Sequence, residues 1–251
     1  MAKELGFILY RGPSMLNGAP IVCIMTMDSK NTKTGNMAQI WILRSDMHPV
    51  EAIQAKADDA ICGTCPLRGE PHENKKNYVK RKCYVEVGKA PAAVYRAYLR
   101  GRYRKWATKH KALLAGRMVR IGAYGDPGAV PSTAIMPVVK FADGHTGYTN
   151  TWATPTGKAW EGVLMASCHS TAEAKKAERR GWKYFRVNLG DAPKKQGEVM
   201  CMSSDEYVAK GGTKRTCLEC QLCDGSKASV VIDGHGKAFP RLPLAMVGGA
   251  K

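Results

Sequence analysis

Acidic residues are scarce in this sequence. Its 251 residues contain 21 Asp and Glu against 39 Lys and Arg, a formal net charge of +18. The chain also lacks an apolar run near the ~18 residues that a membrane-spanning helix needs. Its first residues lack the long apolar segment and cleavage site of a signal peptide. No repeat or low-complexity linker interrupts it. We therefore expect a cytoplasmic protein, not bound to a membrane, that forms a single domain over residues 1–251. Its oligomeric state is left open.

The excess of positive charge lies mainly in one segment. Residues 75–120 hold fifteen Lys and Arg and one acid, Glu86. A basic helix is predicted at residues 91–115, with an apolar stripe of aromatic residues at helical spacing. One-signed charge beside aromatic residues favours a polyanionic partner, here DNA or RNA. The candidate phosphate contacts are Arg96, Arg100, Arg102, Arg104, Lys105 and Lys109.

The order of apolar segments predicts an α/β fold. Residues 20–27 and 38–43 are typical of buried strands, and the second half alternates strands with helices, as parallel pairing requires. A (β/α)-barrel, incomplete or decorated, fits this order best, and an open doubly wound sheet is the alternative. Ligands in such folds gather at the carboxyl ends of strands. That rule selects Asp126, residues 167–169 and residues 188–191.

Four cysteines near the C-terminus are typical of a metal site. Cys217, Cys220 and Cys223 form C-x2-C-x2-C, and Cys201 or His235 is the candidate fourth ligand. Four thiolates saturate tetrahedral Zn²⁺, so zinc would be structural, in a small subdomain at about residues 198–236. An iron–sulfur cluster also accepts this spacing.

A second cysteine group lies in a Gly- and Pro-rich loop at residues 61–84. Cys62 and Cys65 form C-x2-C, and Cys83 follows eighteen residues later. The group predicts either an iron–sulfur cluster with one open iron, or zinc completed by His72, or cysteines prone to oxidation. Cys23 and Cys168 are expected to be core residues of strands.

Several motifs together resemble a known group of proteins. They are "KTGNMAQIWIL", "CGTCPLRG", "CYVEVGKAPAAVYRAYLRGRY", "RIGAYGDPGAVP", "TGYTNTW" and the C-terminal cysteine run. The chain resembles a family of phage and mobile-element proteins, and through it the short phage-type deazaguanine-DNA transglycosylases, relatives of the tRNA-guanine transglycosylases. The cysteine spacing differs from the C-x-C-x2-C and distal His of the tRNA enzymes, in which the first cysteine trio has no counterpart.

The resemblance implies an enzyme that exchanges guanine in DNA for a 7-deazaguanine base through a covalent aspartyl intermediate. It implies Asp126 as nucleophile, and the alternative from the residues alone is that Asp126 caps the helix after Pro127. Asp28 or Asp143 would be the second carboxylate, and Asp28 has the better location because it opens a polar loop after a buried strand. The candidate substrate-binding residues are Ser29, Asn31, Lys33, Thr34, Tyr124 and Gly125.

Two other functions fit the sequence. One is an iron–sulfur enzyme of the radical S-adenosylmethionine type that uses the first cysteine group. The other is a zinc-containing nucleic-acid-binding protein without catalytic activity.

Overall fold

Ten strands form one sheet in the computed structural model, which describes residues 6–71, 79–190 and 194–234. Seven neighbouring strands run parallel. Beyond them, β2 is antiparallel to both of its neighbours, β3 and β1, and the edge strand β6 pairs with β1 in parallel. The order across the sheet is β11-β12-β10-β9-β8-β7-β3-β2-β1-β6. The ten strands are β1 Gly6–Pro13, β2 Pro20–Thr26, β3 Ala38–Arg44, β6 Arg104–Lys105, β7 Met118–Tyr124, β8 Gly144–Thr149, β9 Met165–Cys168, β10 Tyr184–Asn188, β11 Glu198–Met200 and β12 Ser229–Asp233.

Helices lie between and beside these strands. They are α1 Pro49–Gln54, α2 Asp59–Cys62, α3 Ala90–Leu99, α4 Ser132–Phe141, α5 Pro155–Lys158, α6 Thr171–Arg179, α7 Asp205–Ala209 and α8 Cys217–Cys220. Two 3-10 helices span Thr108–Leu114 and Pro127–Ala129, and a separate hairpin pairs β4 Glu70–Pro71 with β5 Val79–Lys80. No helix in the described part of the chain is long and apolar enough to cross a bilayer.

The α/β class is confirmed, whereas a closed barrel is not formed. The two edge strands, β11 and β6, are not paired with each other among the described strands, so the sheet is open. The strands predicted at residues 20–27 and 38–43 correspond to β2 and β3, which supply Ile21, Ile24 and Ile40 to the core. Cys23 and Cys168 are fully buried there, as expected.

The basic helix is shorter than predicted. Helix α3 ends at Leu99, and Gly101 follows with a φ of 64°, a left-handed conformation that favours glycine. The chain then forms the short edge strand β6, which pairs with β1. Directly after it, the backbone N–H of Trp106 donates to the carbonyl of Ile8 at 2.9 Å. Trp106 packs edge-to-face on Phe7, with ring centroids 5.2 Å apart. The aromatic spacing reflects core packing beyond the helix end.

A buried ion pair ties the edge strand β11 to β10 across β12. Arg186 and Glu198 have fully buried side chains, and Nε and Nη2 of Arg186 each lie 2.8 Å from a carboxylate oxygen of Glu198. Burial raises the pKa of Glu198, but hydrogen bonds from Arg186 and from the Lys195 N–H outweigh it, so the pKa lies below its ordinary value.

We expect Glu198→Gln to reduce the free energy of unfolding by about 3–5 kcal/mol, because the buried guanidinium loses its counter-charge. Urea denaturation at pH 7 measures this. The depressed pKa means that the carboxylate stabilises the fold above its unfolded pKa and ceases to do so as the pH falls through its folded value. The wild type should therefore lose stability below about pH 4 more steeply than Glu198→Gln. An unchanged free energy of unfolding would contradict this role.

Candidate functional site

One face of the sheet borders a large cavity. The cavity has a volume of about 740 Å³. Strand side chains form its floor, and exposed loop residues at 31–33 and 82–90 form its rim. Because side chains alternate along a strand, the floor residues of each strand lie on one face while the neighbours point to the core. The floor includes Gln39, Trp41, Arg120, Tyr148, Phe185 and Val187.

The lining of this cavity is cationic and aromatic. Its cations outnumber its acids, and Glu86, the one carboxylate residue among the described lining residues, forms an ion pair with Lys89 at the rim. The cationic lining residues are Lys33, Lys82, Lys89 and Arg120, and the aromatic ones are Trp41, Tyr84, Tyr148 and Phe185. Such a lining suits a flat, anionic ligand.

The loop between β2 and β3 forms part of this lining. Asn31, Lys33 and Thr34 border the cavity, whereas Ser29 does not. Its turn is held by side-chain to backbone bonds, such as the Lys33 N–H to Oδ1 of Asn31 at 3.0 Å. The carbonyls of Lys33 and Thr34 accept from the first N–H groups of α8, at 3.0 and 3.1 Å. The loop is thereby docked on the second cysteine group.

Asp126 and Asp28 lie at opposite ends of the sheet, so they do not form the predicted catalytic pair. Asp126 follows the carboxyl end of β7, whereas Asp28 follows β2, which runs antiparallel to β3. The register separates them by about six residues along the strands, roughly 20 Å. Asp28 lies 3.5 Å from Arg117. Asp143 precedes β8 at the same end as Asp28, where it accepts from the Gly116 N–H at 3.0 Å.

The Asp126 carboxylate is buried, and both of its oxygens accept hydrogen bonds. Oδ1 accepts from the Gly128 N–H at 2.8 Å and from the Thr149 hydroxyl at 2.7 Å, and Oδ2 accepts from the Asn150 N–H at 2.5 Å. Burial raises the pKa of Asp126, and hydrogen bonds from Thr149, Gly128 and Asn150 oppose that rise. The side chain caps the 3-10 helix that begins at Pro127, and the residue is not among those that line the cavity. This geometry suits the capping role.

Tyr124 and Gly125, two of the predicted substrate-binding residues, pack against the protein interior. Tyr124 is 3% exposed, and its hydroxyl has no hydrogen-bond partner among the described residues. Gly125 has a φ of 82°, and a Cβ there would lie 2.6 Å from the carbonyl oxygen of Ile42. Glycine is therefore required by the contact between β7 and β3. Neither residue lines the cavity.

The first cysteine group gathers beside Asp126. The Ile61 carbonyl accepts from the Asp126 N–H at 2.5 Å, so α2 brings Cys62 to this corner. The thiols of Cys62, Cys65 and Cys83 are close enough to interact electrostatically, and burial with these neighbours raises the pKa of Cys65 to about 11. Residue 72, the proposed histidine ligand, lies outside the described residues.

The second cysteine group borders a small cavity of about 30 Å³, to which all four predicted ligands contribute. Cys201 and Cys217 also line the large cavity. Burial raises the pKa of Cys201 to about 11. The thiols therefore share one space that opens toward the main site. Residue 235, the alternative ligand, lies outside the described residues.

Zinc fits the second group in donor chemistry and in location. Four thiols are the set that structural zinc prefers, and they converge on one space. Among the described residues, however, no three His, Cys, Asp or Glu side chains are arranged as a group that could hold an ion. Ligation thus requires the four sulfurs to close in and to lose their protons.

Arg120 is absent from the sequence-based candidates, whereas His169 belongs to the strand-end residues 167–169 that the sequence selects. Arg120 interrupts the apolar run of β7 at a position that faces the cavity. His169, at the carboxyl end of β9, bonds through Nε2 to Oδ1 of Asn150 at 2.9 Å, and its buried Nδ1 has no partner among the described residues. A charged residue within an apolar strand was the available signal for Arg120.

Comparison of this chain with protein-family models, with curated proteins and with solved structures found no match in any of the three. A function must therefore be argued from the geometry of the site and from the motifs.

We expect the purified protein to contain about one zinc per chain, and Cys217→Ser to lose most of it, because three thiolates bind zinc more weakly than four. Elemental analysis measures the stoichiometry, with Cys23→Ser as the control from the core. Equal zinc in both variants, or none in the wild type, would contradict the assignment.

Proposed function

We propose that the protein is a DNA-modifying enzyme that takes one nucleotide into the cavity and exchanges its guanine for a 7-deazaguanine base. The observation that carries the proposal is a cavity of about 740 Å³ with aromatic and cationic walls. A nucleotide presents a flat base and an anionic phosphate, which such walls bind. Its base must leave the duplex stack to reach the cavity.

A surface for the DNA backbone adjoins the cavity. Ala90 and Pro91, the first residues of α3, line the cavity, and Arg96 and Arg100 are exposed farther along the same helix. The next four candidate contacts are also exposed although they lie beyond the helix: Arg102, Arg104, Lys105 and Lys109. A row of exposed cations that starts at the rim of the cavity can bind the phosphates of a DNA strand while one of its nucleotides enters the cavity.

The proposed chemistry is two displacements at the sugar C1′. A carboxylate oxygen attacks C1′, and guanine leaves with the bonding electrons and takes up a proton. The 7-deazaguanine nitrogen then attacks C1′, loses its proton and frees the carboxylate. The attacking carboxylate is assigned to Asp126, because the resemblance implies this residue as the nucleophile. Oδ2 accepts from the Asn150 N–H, and a carboxylate oxygen has two lone pairs. Because Asp126 is 5% exposed, catalysis requires it to become accessible when DNA binds.

The first cysteine group favours one alternative, an iron–sulfur enzyme of the radical type. Its three thiols are gathered at the carboxyl-end corner beside Asp126, and three cysteines leave one iron of a cluster open. Anaerobic purification of a brown protein that loses its iron in Cys65→Ser would favour this alternative. A colourless protein with zinc alone would exclude it.

Base exchange is tested with DNA that contains labelled guanine, incubated with the protein and a free 7-deazaguanine base. The wild type should release guanine and incorporate the deazapurine. We expect Asp126→Asn to lose at least 10³-fold in rate while remaining folded, because the amide keeps acceptor oxygen for the cap but is a poor nucleophile.

Wild-type activity in Asp126→Asn would exclude Asp126 as nucleophile and retain the reaction. Salt-sensitive DNA binding without any exchange would favour a nucleic-acid-binding protein without catalytic activity.

The basic surface is tested by replacing Arg100, Arg102, Arg104 and Lys105 together with glutamine. Since each lost phosphate contact removes about 0.9 from the slope of log K against log salt, we expect a slope lower by about 2–4 and weaker binding to every DNA sequence. Fluorescence anisotropy at several salt concentrations measures both. Substitution of Lys140, Lys175, Lys176 and Arg179, on α4 and α6, is the matched control, and an equal effect there would contradict a defined surface.

A further inference from the structure

Arg120 is the one floor residue of the cavity that carries a charge. It lies in β7 between Val119 and Ile121, both fully buried on the other face of the strand. Its own side chain is turned to the cavity, where Gln39 lies on the neighbouring strand β3 and is paired with it in register. The side chain is half-buried, so its charge is partly desolvated and a bound anion in the cavity would compensate it.

The described residues supply no carboxylate for this guanidinium. Its hydrogen-bond partner is the Tyr84 hydroxyl, and the groups with which it interacts electrostatically are Tyr84, Tyr148 and Cys217. Nε of Arg120 is buried without a hydrogen-bond partner among the described residues. Two kinds of anion remain as counter-charge, a thiolate at Cys217 or an anionic group of a bound ligand.

The surroundings favour a ligand that is flat as well as anionic. Tyr148 and Phe185 lie beside each other on the floor, with ring centroids 4.7 Å apart. Trp41 lies on β3, where its indole N–H donates to the Thr26 hydroxyl at 3.0 Å. Tyr84 is 57% exposed and reaches from the rim to Arg120. Aromatic faces around a guanidinium fork match a heteroaromatic ring that carries a two-oxygen anionic group.

We propose that Arg120 binds the anionic oxygen group, a phosphate or a carboxylate, of a heteroaromatic ligand whose ring lies against Trp41, Tyr84 and Phe185. The inference rests on the proposed function, because it assigns the anchor of the ligand in the same cavity. Two sources of the anion fit this chemistry. One is the 5′-phosphate of the nucleotide drawn from DNA, and the other is a carboxylate on the incoming deazapurine.

Binding, measured without turnover, tests the proposal on the full-length protein by isothermal titration calorimetry. The probes are two matched pairs that differ in the anion. One pair is deoxyguanosine and its 5′-monophosphate, and the other is 7-deazaguanine with a nitrile or a carboxylate at C7. We expect the anionic member of at least one pair to bind about 10- to 100-fold more tightly. The pair that shows the preference identifies the source of the anion.

Arg120→Gln should abolish that preference while leaving the affinity for the neutral member within about threefold. Arg120→Lys should retain part of it, because the ammonium keeps the charge and loses the planar fork. Arg179→Gln, on the exposed surface of α6, removes the same charge away from the cavity and should keep the wild-type preference. The wild-type comparison of each pair stands even where a variant fails to fold.

Two outcomes would overturn the inference. The first is equal affinity, or no binding, for both members of both pairs in the wild type. The second is a preference that survives in Arg120→Gln. If that variant also loses bound metal, Arg120 compensates the thiolate at Cys217. The binding measurements do not depend on base exchange, so a protein that shows no exchange can still confirm this inference. Conversely, a negative binding result does not exclude the exchange reaction, which has its own assay.

Discussion

The guanidinium of Arg120 is half-buried at the cavity wall, and the described part of this chain offers it no carboxylate. The contrast with Arg186 on the other face of the sheet is direct. Arg186 is fully buried and forms a bidentate pair with Glu198, and this pair stabilises the edge of the fold. The charge of Arg186 on the core face is thus compensated by a carboxylate of the protein, whereas no carboxylate among the described residues compensates the charge of Arg120 on the cavity face. A surface that remains cationic after folding is suited to a ligand that brings the missing charge.

The two cysteine groups lie at different places relative to the cavity, and Asp126 lies with the first of them. The second group shares Cys201 and Cys217 with the wall of the cavity, so an ion bound there would lie beside the ligand and not in a remote subdomain. The first group and Asp126 occupy a buried corner at the carboxyl ends of the strands. The proposed exchange reaction needs both regions, the cavity to hold the nucleotide and the corner to supply the carboxylate. The proposed reaction therefore requires that the sugar of a nucleotide held in the cavity can reach the Asp126 carboxylate.

Apolar patterning was sufficient to predict the strands β2 and β3 and the alternation of strands and helices in the second half of the chain, and cysteine spacing predicted the grouping of the cysteines. The length of the basic helix was wrong, because Gly101 ends it and the later aromatic residues pack at the sheet edge. The pairing of Asp126 with Asp28 was also wrong. Strand direction decides which loops meet, and nothing local in the sequence shows that β2 is antiparallel to β3. The importance of Arg120 depends on which face of β7 is covered by loops, which is a property of the assembled sheet.

The central claim is that the cavity holds a heteroaromatic ligand with its anionic group against Arg120. A crystal structure of the protein with 2′-deoxyguanosine 5′-monophosphate tests this most directly. The account predicts density for the nucleotide within the cavity, with a phosphate oxygen within about 3 Å of the Arg120 guanidinium and the base against the aromatic wall. Nucleotide bound only elsewhere, with Arg120 paired to a cysteine thiolate, would contradict it.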